Sequence, residues 1–157
     1  MAQAAPDATL RRFSGYGMKR AFNGIQADLS ATLQPFGLRM VTFSALVVIH
    51  DNPGLRQTRL AGVLAIERPN LVAILEDLER ADLIARTRAE TDRRAYELSV
   101  TAKGRTLCQQ AMAAVVDHDR RMTRGLSADE SATLQKLLRR IEGNGRTPHD
   151  RRKISRA

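Results

Sequence analysis

Residues 60–104 read LAGVLAIERPNLVAILEDLERADLIARTRAETDRRAYELSVTAKG, and the period of their apolar residues changes partway along. Leu60, Ala61 and Leu64 fit one face of a short helix, with a turn near residues 65–67. Leu71, Ile74, Leu75 and Leu78 then recur at i, i+3, i+4 and i+7, the spacing of a longer amphipathic helix. Pro69 is compatible with that helix only in its first turn, where a missing N–H leaves no bond unmade. Beyond Ala81 and Asp82 the period drops to 2. Residues 83–88 and 95–100 fit two short strands joined by the six-residue loop AETDRR. Two helices across a tight turn, followed directly by a hairpin, make a winged helix-turn-helix.

Upstream, Leu10, Phe13, Ala21, Ile25 and Leu29 carry helical spacing over residues 10–33. Gly15, Gly17 and Gly24 weaken that helix, so tertiary packing has to hold it. PFG at 35–37 breaks the chain, a second helix is expected over 40–50, and DNPG at 51–54 ends it. Downstream, Thr101 is an N-cap for a helix through Leu107, Ala111, Ala114 and Val115. Ser127 and Glu130 form a capping box that opens a last helix with Leu134, Leu137, Leu138 and Ile141 on one side. The expected fold is mostly α with a small β-hairpin.

As one domain over 1–157, the chain divides into a winged helix-turn-helix at 40–100 and dimerisation helices at 10–34 and 101–142. Residues 143–157 form a basic tail with the composition of a disordered end. The first and last helices carry apolar stripes that one small subunit has little left to cover. A homodimer is therefore expected.

The composition, 43% hydrophobic and 27% charged over 157 residues, is that of a soluble globular chain. No apolar run approaches the ~20 residues of a membrane span, and no secretory leader is visible. One cysteine, Cys108, rules out an intramolecular disulfide and fits a reducing, cytoplasmic setting. The net charge of +9 invites a polyanion partner. Its location tempers that: residues 1–100 hold 13 Lys/Arg against 11 Asp/Glu, whereas 101–157 hold 13 against 6. Most of the excess lies downstream of the winged helix.

The 60–104 stretch resembles the DNA-binding core of the multiple-antibiotic-resistance regulator (MarR) family. Its most specific part is DRRAYELSVTAKG, similar to the family pattern of D-x-R, alternating residues, then a threonine and a K-G pair. The resemblance extends over residues 10–142 and is sharpest from 60 to 104. It implies a homodimer with one winged helix per subunit, acting on a pseudo-palindromic duplex operator. It also implies repression relieved by a small aromatic or anionic effector. The ERPNLVAILEDLE segment resembles regulators of aromatic-acid catabolism, some of which sense aromatic carboxylates or aromatic acyl-CoA thioesters.

In helix-turn-helix docking the N-terminal residues of the second helix reach base edges in the major groove. Here those are Arg68, Pro69, Asn70 and Ala73. Arg68 suits guanine and Asn70 suits adenine, while Pro69 and Ala73 offer apolar contact to thymine methyls. Val72 and Ala73 stand where the family often has a hydroxyl and a basic residue, so direct readout is expected to be sparse. Glu76, Asp77 and Glu79 make the second half of that helix acidic, and it should stand away from phosphates. Arg56, Gln57, Thr58 and Arg59 suit phosphate contacts, although Arg56 replaces the family's usual hydroxyl cap. By resemblance Arg94 enters the minor groove from the wing with Arg93 on phosphate, and Asp92 braces the hairpin. Resemblance also places the effector pocket between dimerisation helices and winged helix, which selects Phe13, Tyr16, Arg20, Phe36, Arg39, Phe43 and His50.

Other functions find less support. The adjacent His50 and Asp51, and Cys108 and His118 ten residues apart, set no nucleophile beside a base with a third orienting group. Three scattered histidines and one cysteine lack metal-ligand spacing, and neither G-x-G-x-x-G nor G-x-x-x-x-G-K-[ST] occurs. No enzyme activity, cofactor or metal is expected. Cys108, outside the first helix, is read as a small hydrophobe in a helix interface. Two alternatives to a ligand-responsive regulator stay open: an effector-independent winged-helix DNA-binding protein, and a protein-interaction module that touches no nucleic acid.

Overall fold

The computed structural model describes residues 5–88 and 96–145. A 3-10 turn at Leu10–Arg12 precedes helix α1, Ser14–Leu33. Phe13 between them is extended (φ −99°, ψ 124°), so the helix expected from residue 10 begins at Ser14. A second 3-10 turn, Gln34–Phe36, ends on Gly37 in the left-handed region (φ 65°), where glycine lacks the Cβ penalty. The PFG break is this turn. Helix α2, Met40–Asp51, follows and buries Thr42, Ala45, Leu46 and Ile49.

Gly54 (φ 82°) turns the chain into β1, Leu55–Arg56, which leads directly into α3, Gln57–Leu64. Helix α4 spans Arg68–Arg80 with Pro69 in its first turn, as its missing N–H requires. Strands β2, Ile84–Arg88, and β3, Tyr96–Val100, form the wing stem. The expected hairpin gains a third strand: the order is β1-β3-β2, antiparallel throughout, with Leu55 opposite Leu98 and Arg88 opposite Tyr96. Two residues are too few to show a period of 2, so β1 leaves no trace in the apolar pattern.

Helix α5, Ala102–Met122, starts where expected: Thr101 Oγ1 accepts from Gly104 N at 2.9 Å. Helix α6, Ala128–Gly145, opens on the expected box. Ser127 N donates to Glu130 Oε2 at 2.7 Å, and Glu130 N to Ser127 Oγ at 3.2 Å.

Leu33, Leu46, Ile49, Leu60, Leu71, Leu75, Leu78, Leu98 and Cys108 are fully buried or nearly so, and one core thus joins α1 to α5 and the sheet. Burial pushes the Cys108 thiol up, as expected of a packed cysteine. A polar group crosses the α1–α5 seam. His118, only 4% exposed, places Nδ1 2.5 Å from Asp28 Oδ2, and Arg121 Nη2 donates to the same oxygen at 2.8 Å. These bonds, His118 first, hold the Asp28 carboxyl below its ordinary range. Helix α6 differs from the others in having no buried residue. No single described helix is long and apolar enough to cross a membrane.

Candidate nucleic-acid interface

The apolar stripe fixes which face of α4 is free. Leu71, Ile74, Leu75 and Leu78 are 6% exposed or less, which turns Arg68, Pro69, Asn70, Val72 and Ala73 to solvent. All four candidates for base contact are therefore exposed over the first turns of the helix. The turn before it is tight: Ala65 adopts the left-handed conformation (φ 52°), and Ile66 N returns to Ala61 O at 3.1 Å.

The start of α3 lies beside that surface. Arg56 is extended and gives α3 no side-chain cap, as its departure from a hydroxyl suggested. Arg56, Gln57 and Thr58 line one concavity together with Arg68, Val72 and Tyr96. Three of the four phosphate candidates thus meet the leading residue of α4, while Arg59 is exposed on α3 without lining that concavity. Arg93, Arg94 and Asp92 lie outside the described residues.

The acidic half of α4 is engaged by basic residues of neighbouring elements. Arg39, the residue before α2, donates from Nη2 to Asp77 Oδ2 at 2.8 Å, and Arg80 Nη1 reaches Asp77 Oδ1 at 3.1 Å. Arg86 of β2 donates from Nε (2.9 Å) and Nη2 to Glu79 Oε2, and holds that carboxyl below its ordinary range. At the helix end, Thr101 Oγ1 donates to Asp82 O at 2.7 Å, Lys103 Nζ to Ala81 O at 2.7 Å, and Thr101 N to Leu83 O at 3.1 Å. Helix α4 is therefore tied at its far end to α2, β2 and α5, with its leading end exposed. Each exposed pair contributes little alone, roughly 0–1 kcal/mol. Together they fix an orientation.

The effector candidates fall into separate groups. Tyr16 donates to Asp7 Oδ2 at 2.8 Å, the Arg20 guanidinium stands 5.9 Å from the Tyr16 ring centroid, and Phe13 nearby in sequence is 62% exposed. Phe36 and Phe43 pack against the core, and His50 Nδ1 lies 3.1 Å from its neighbour Asp51. Arg39 is engaged with Asp77. Among the described residues, no hydrogen bond or ion pair joins the Tyr16–Arg20 group to the α2 residues. Sequence reasoning gave no interface role to Tyr96 or to the tethers Asp77, Glu79 and Lys103. The alternation that sets Tyr96 on the face of Leu98 could have signalled the first. Nothing local signals tethers whose partners lie 7 to 38 residues away.

Comparison with known proteins meets this geometry. The family model for the MarR family matches residues 38–96, the span from Leu38 to Tyr96 that builds the surface above. The solved structure of a transcriptional repressor, CouR, bound to a 23-mer DNA duplex superposes with a TM-score of 0.84. It is 35% identical, over 89% of this chain and 99% of that one. This chain belongs to the MarR family. The HTH-type transcriptional repressor Rv2887 of Mycobacterium tuberculosis is 29% identical over 137 residues, 87% of this chain and 96% of that protein. Its structure in complex with p-aminosalicylic acid aligns at 27% identity and a TM-score of 0.66, covering 83% of this chain and 98% of that one. CouR from Rhodococcus jostii RHA1, solved with p-coumaroyl-CoA, shares the MarR-family fold (TM-score 0.78, 23% identity, 88% of this chain and 97% of that one).

Proposed function

We propose that this chain is a transcriptional repressor that binds a pseudo-palindromic DNA operator as a homodimer and is released by a small aromatic carboxylate or aromatic acyl-CoA. The observation that carries the DNA-binding part is the concavity joining Arg56, Gln57 and Thr58 to Arg68, at the start of a helix whose Asn70 and Ala73 are also exposed. Arg56, Gln57, Thr58 and Arg59 seat the protein on phosphates, and Arg68, Pro69, Asn70 and Ala73 face base edges. Arg94 and Arg93 complete the contact from the wing, braced by Asp92. The DNA-bound CouR relative supports the partner class.

The dimer is supported by what the subunit leaves uncovered. Leu134, Leu137, Leu138 and Ile141 of α6 are each 41–45% exposed, and Phe22 and Ile25 of α1 are 45% and 37% exposed. An apolar stripe of this kind marks an interaction surface. Pairing two subunits through it sets two α4 helices for half-sites about one helical turn apart.

The effector reading rests on the Tyr16–Arg20 pair, an aromatic ring beside a cation, with Phe13 exposed nearby in sequence, and on the p-aminosalicylic acid complex of Rv2887. Arg39, Phe43 and His50 complete the pocket as the dimer and winged helix close around it. Release then follows if the effector favours a spacing of the two lobes that does not match the half-sites. The test is fluorescence anisotropy on duplexes from the region upstream of the chain's own coding sequence. Binding that strengthens as salt falls, and weakens on adding p-aminosalicylic acid or an aromatic acyl-CoA, is the expected result. No binding at low salt sinks the repressor; binding indifferent to every such anion leaves an effector-independent one.

A further inference from the structure

Tyr96 opens β3, two residues beyond the end of the segment expected to form the wing loop. Leu98, two residues on and so on the same face, is fully buried, and the residue opposite Tyr96 on β2 is Arg88. Tyr96 itself is 40% exposed. It carries the inward face of the sheet past the edge of the core. There it lines the concavity shared by Arg56, Gln57 and Thr58 at the start of α3 and by Arg68 and Val72 at the start of α4.

The ring shares the lining of that concavity with Val72. Among the described residues no hydrogen bond engages its hydroxyl. The surroundings favour an anion. Arg56 and Arg68 line the same concavity, and Arg88 neighbours Tyr96 across the ladder. The adjacent acid, Glu97, alternates to the other face of the sheet, where its carboxylate lies near Gly54. An acceptor with several oxygens, set between two arginines and a phenol at the edge of a helix-turn-helix, has the chemistry of a DNA backbone phosphate.

We propose that Tyr96 is a DNA-contacting residue, its hydroxyl donating to a backbone phosphate seated between the start of α3 and the start of α4. The proposal rests on the repressor reading above. It makes Tyr96 the link between helix-turn-helix and wing, so that both engage the same stretch of backbone. A phosphate contact positions without reading sequence. Tyr96→Phe keeps the ring and removes only the donor.

The experiment measures affinity of wild type and Tyr96→Phe for an operator duplex and for an unrelated duplex, with melting temperature in parallel. Y96F is expected to weaken both duplexes alike, by about 2- to 10-fold, the effect of one hydrogen bond, at unchanged melting temperature. Equal affinity of Y96F and wild type for both duplexes overturns the proposal, and so does a loss confined to one sequence. If Y96F melts lower, Tyr96→Leu, which also lacks the donor, is measured after both are stabilised by cooling. Affinities that then return to wild type likewise overturn it. A wild-type protein that binds neither duplex overturns the repressor reading and Tyr96 with it, whereas normal wild-type binding with an indifferent Y96F overturns Tyr96 alone.

Discussion

The carbonyl of Leu83 occupies the space in which a side chain on residue 104 would begin: a Cβ there would stand 2.7 Å from the Leu83 carbonyl carbon and closer still to its oxygen. The first turn of α5 and the turn after α4 are packed backbone to backbone, and Gly104 is what permits it. Both partners are main chain, so neither can swing aside. Gly104→Ala should therefore lower stability by at least the ~1–3 kcal/mol usual for overpacking, and should weaken DNA binding by displacing α4. Urea unfolding and a duplex titration of the same preparation check both parts.

Base and phosphate contacts separate in a pair of variants. Arg68→Ala should remove roughly 1–3 kcal/mol of discrimination between the operator and its point variants. Arg56→Ala should weaken all duplexes equally and lower the slope of log affinity against log salt by about 1. Competition titrations across a salt series distinguish them, and identical behaviour of the two variants would contradict the assignment.

Helix α6 buries nothing within the subunit, so a charge there should spare the subunit and break the assembly. Leu138→Glu is expected to give a monomer by sedimentation, with helical circular dichroism close to wild type. Its affinity for a two-half-site duplex should fall far more than its affinity for a single half-site.

The acid side of the stability curve should carry the signature of Asp28. Unfolded, its carboxyl titrates near 3.8; folded, the bonds from His118 and Arg121 hold it lower. The unfolded chain therefore takes up the proton first, and the stabilisation is fully present above 3.8 and drains as pH falls through the folded value. Asp28→Asn should flatten this part of the acid limb relative to wild type. Denaturant midpoints measured from about pH 5 downwards provide the comparison, and superimposable limbs would remove Asp28 from the account.

Features written in neighbouring residues were legible in the sequence. The stripe of α4, the cap at Thr101 and the Ser127–Glu130 box each involve residues within eight positions of one another, and each appears in the structure where expected. Features made by distant residues were not. Nothing beside Asp28 announces His118 or Arg121, 90 and 93 positions on, and nothing beside Arg39 announces Asp77. The helix start at Ser14 was missed because the periodic residues Leu10 and Phe13 continue the pattern through an extended backbone. The candidate interface was half legible: periodicity could say which residues of α4 leave the core, but not that Arg56 and Tyr96 would line one concavity with Arg68 and Val72.

The three ties at the far end of α4 bear on how such a protein can change its target. Asp77 and Glu79 hold the helix in place, and Leu71, Ile74, Leu75 and Leu78 hold it in the core. Arg68, Pro69, Asn70 and Ala73 do neither. If these four positions read the operator, as proposed, a lineage can rewrite its target one substitution at a time while the scaffold beneath stays as it is.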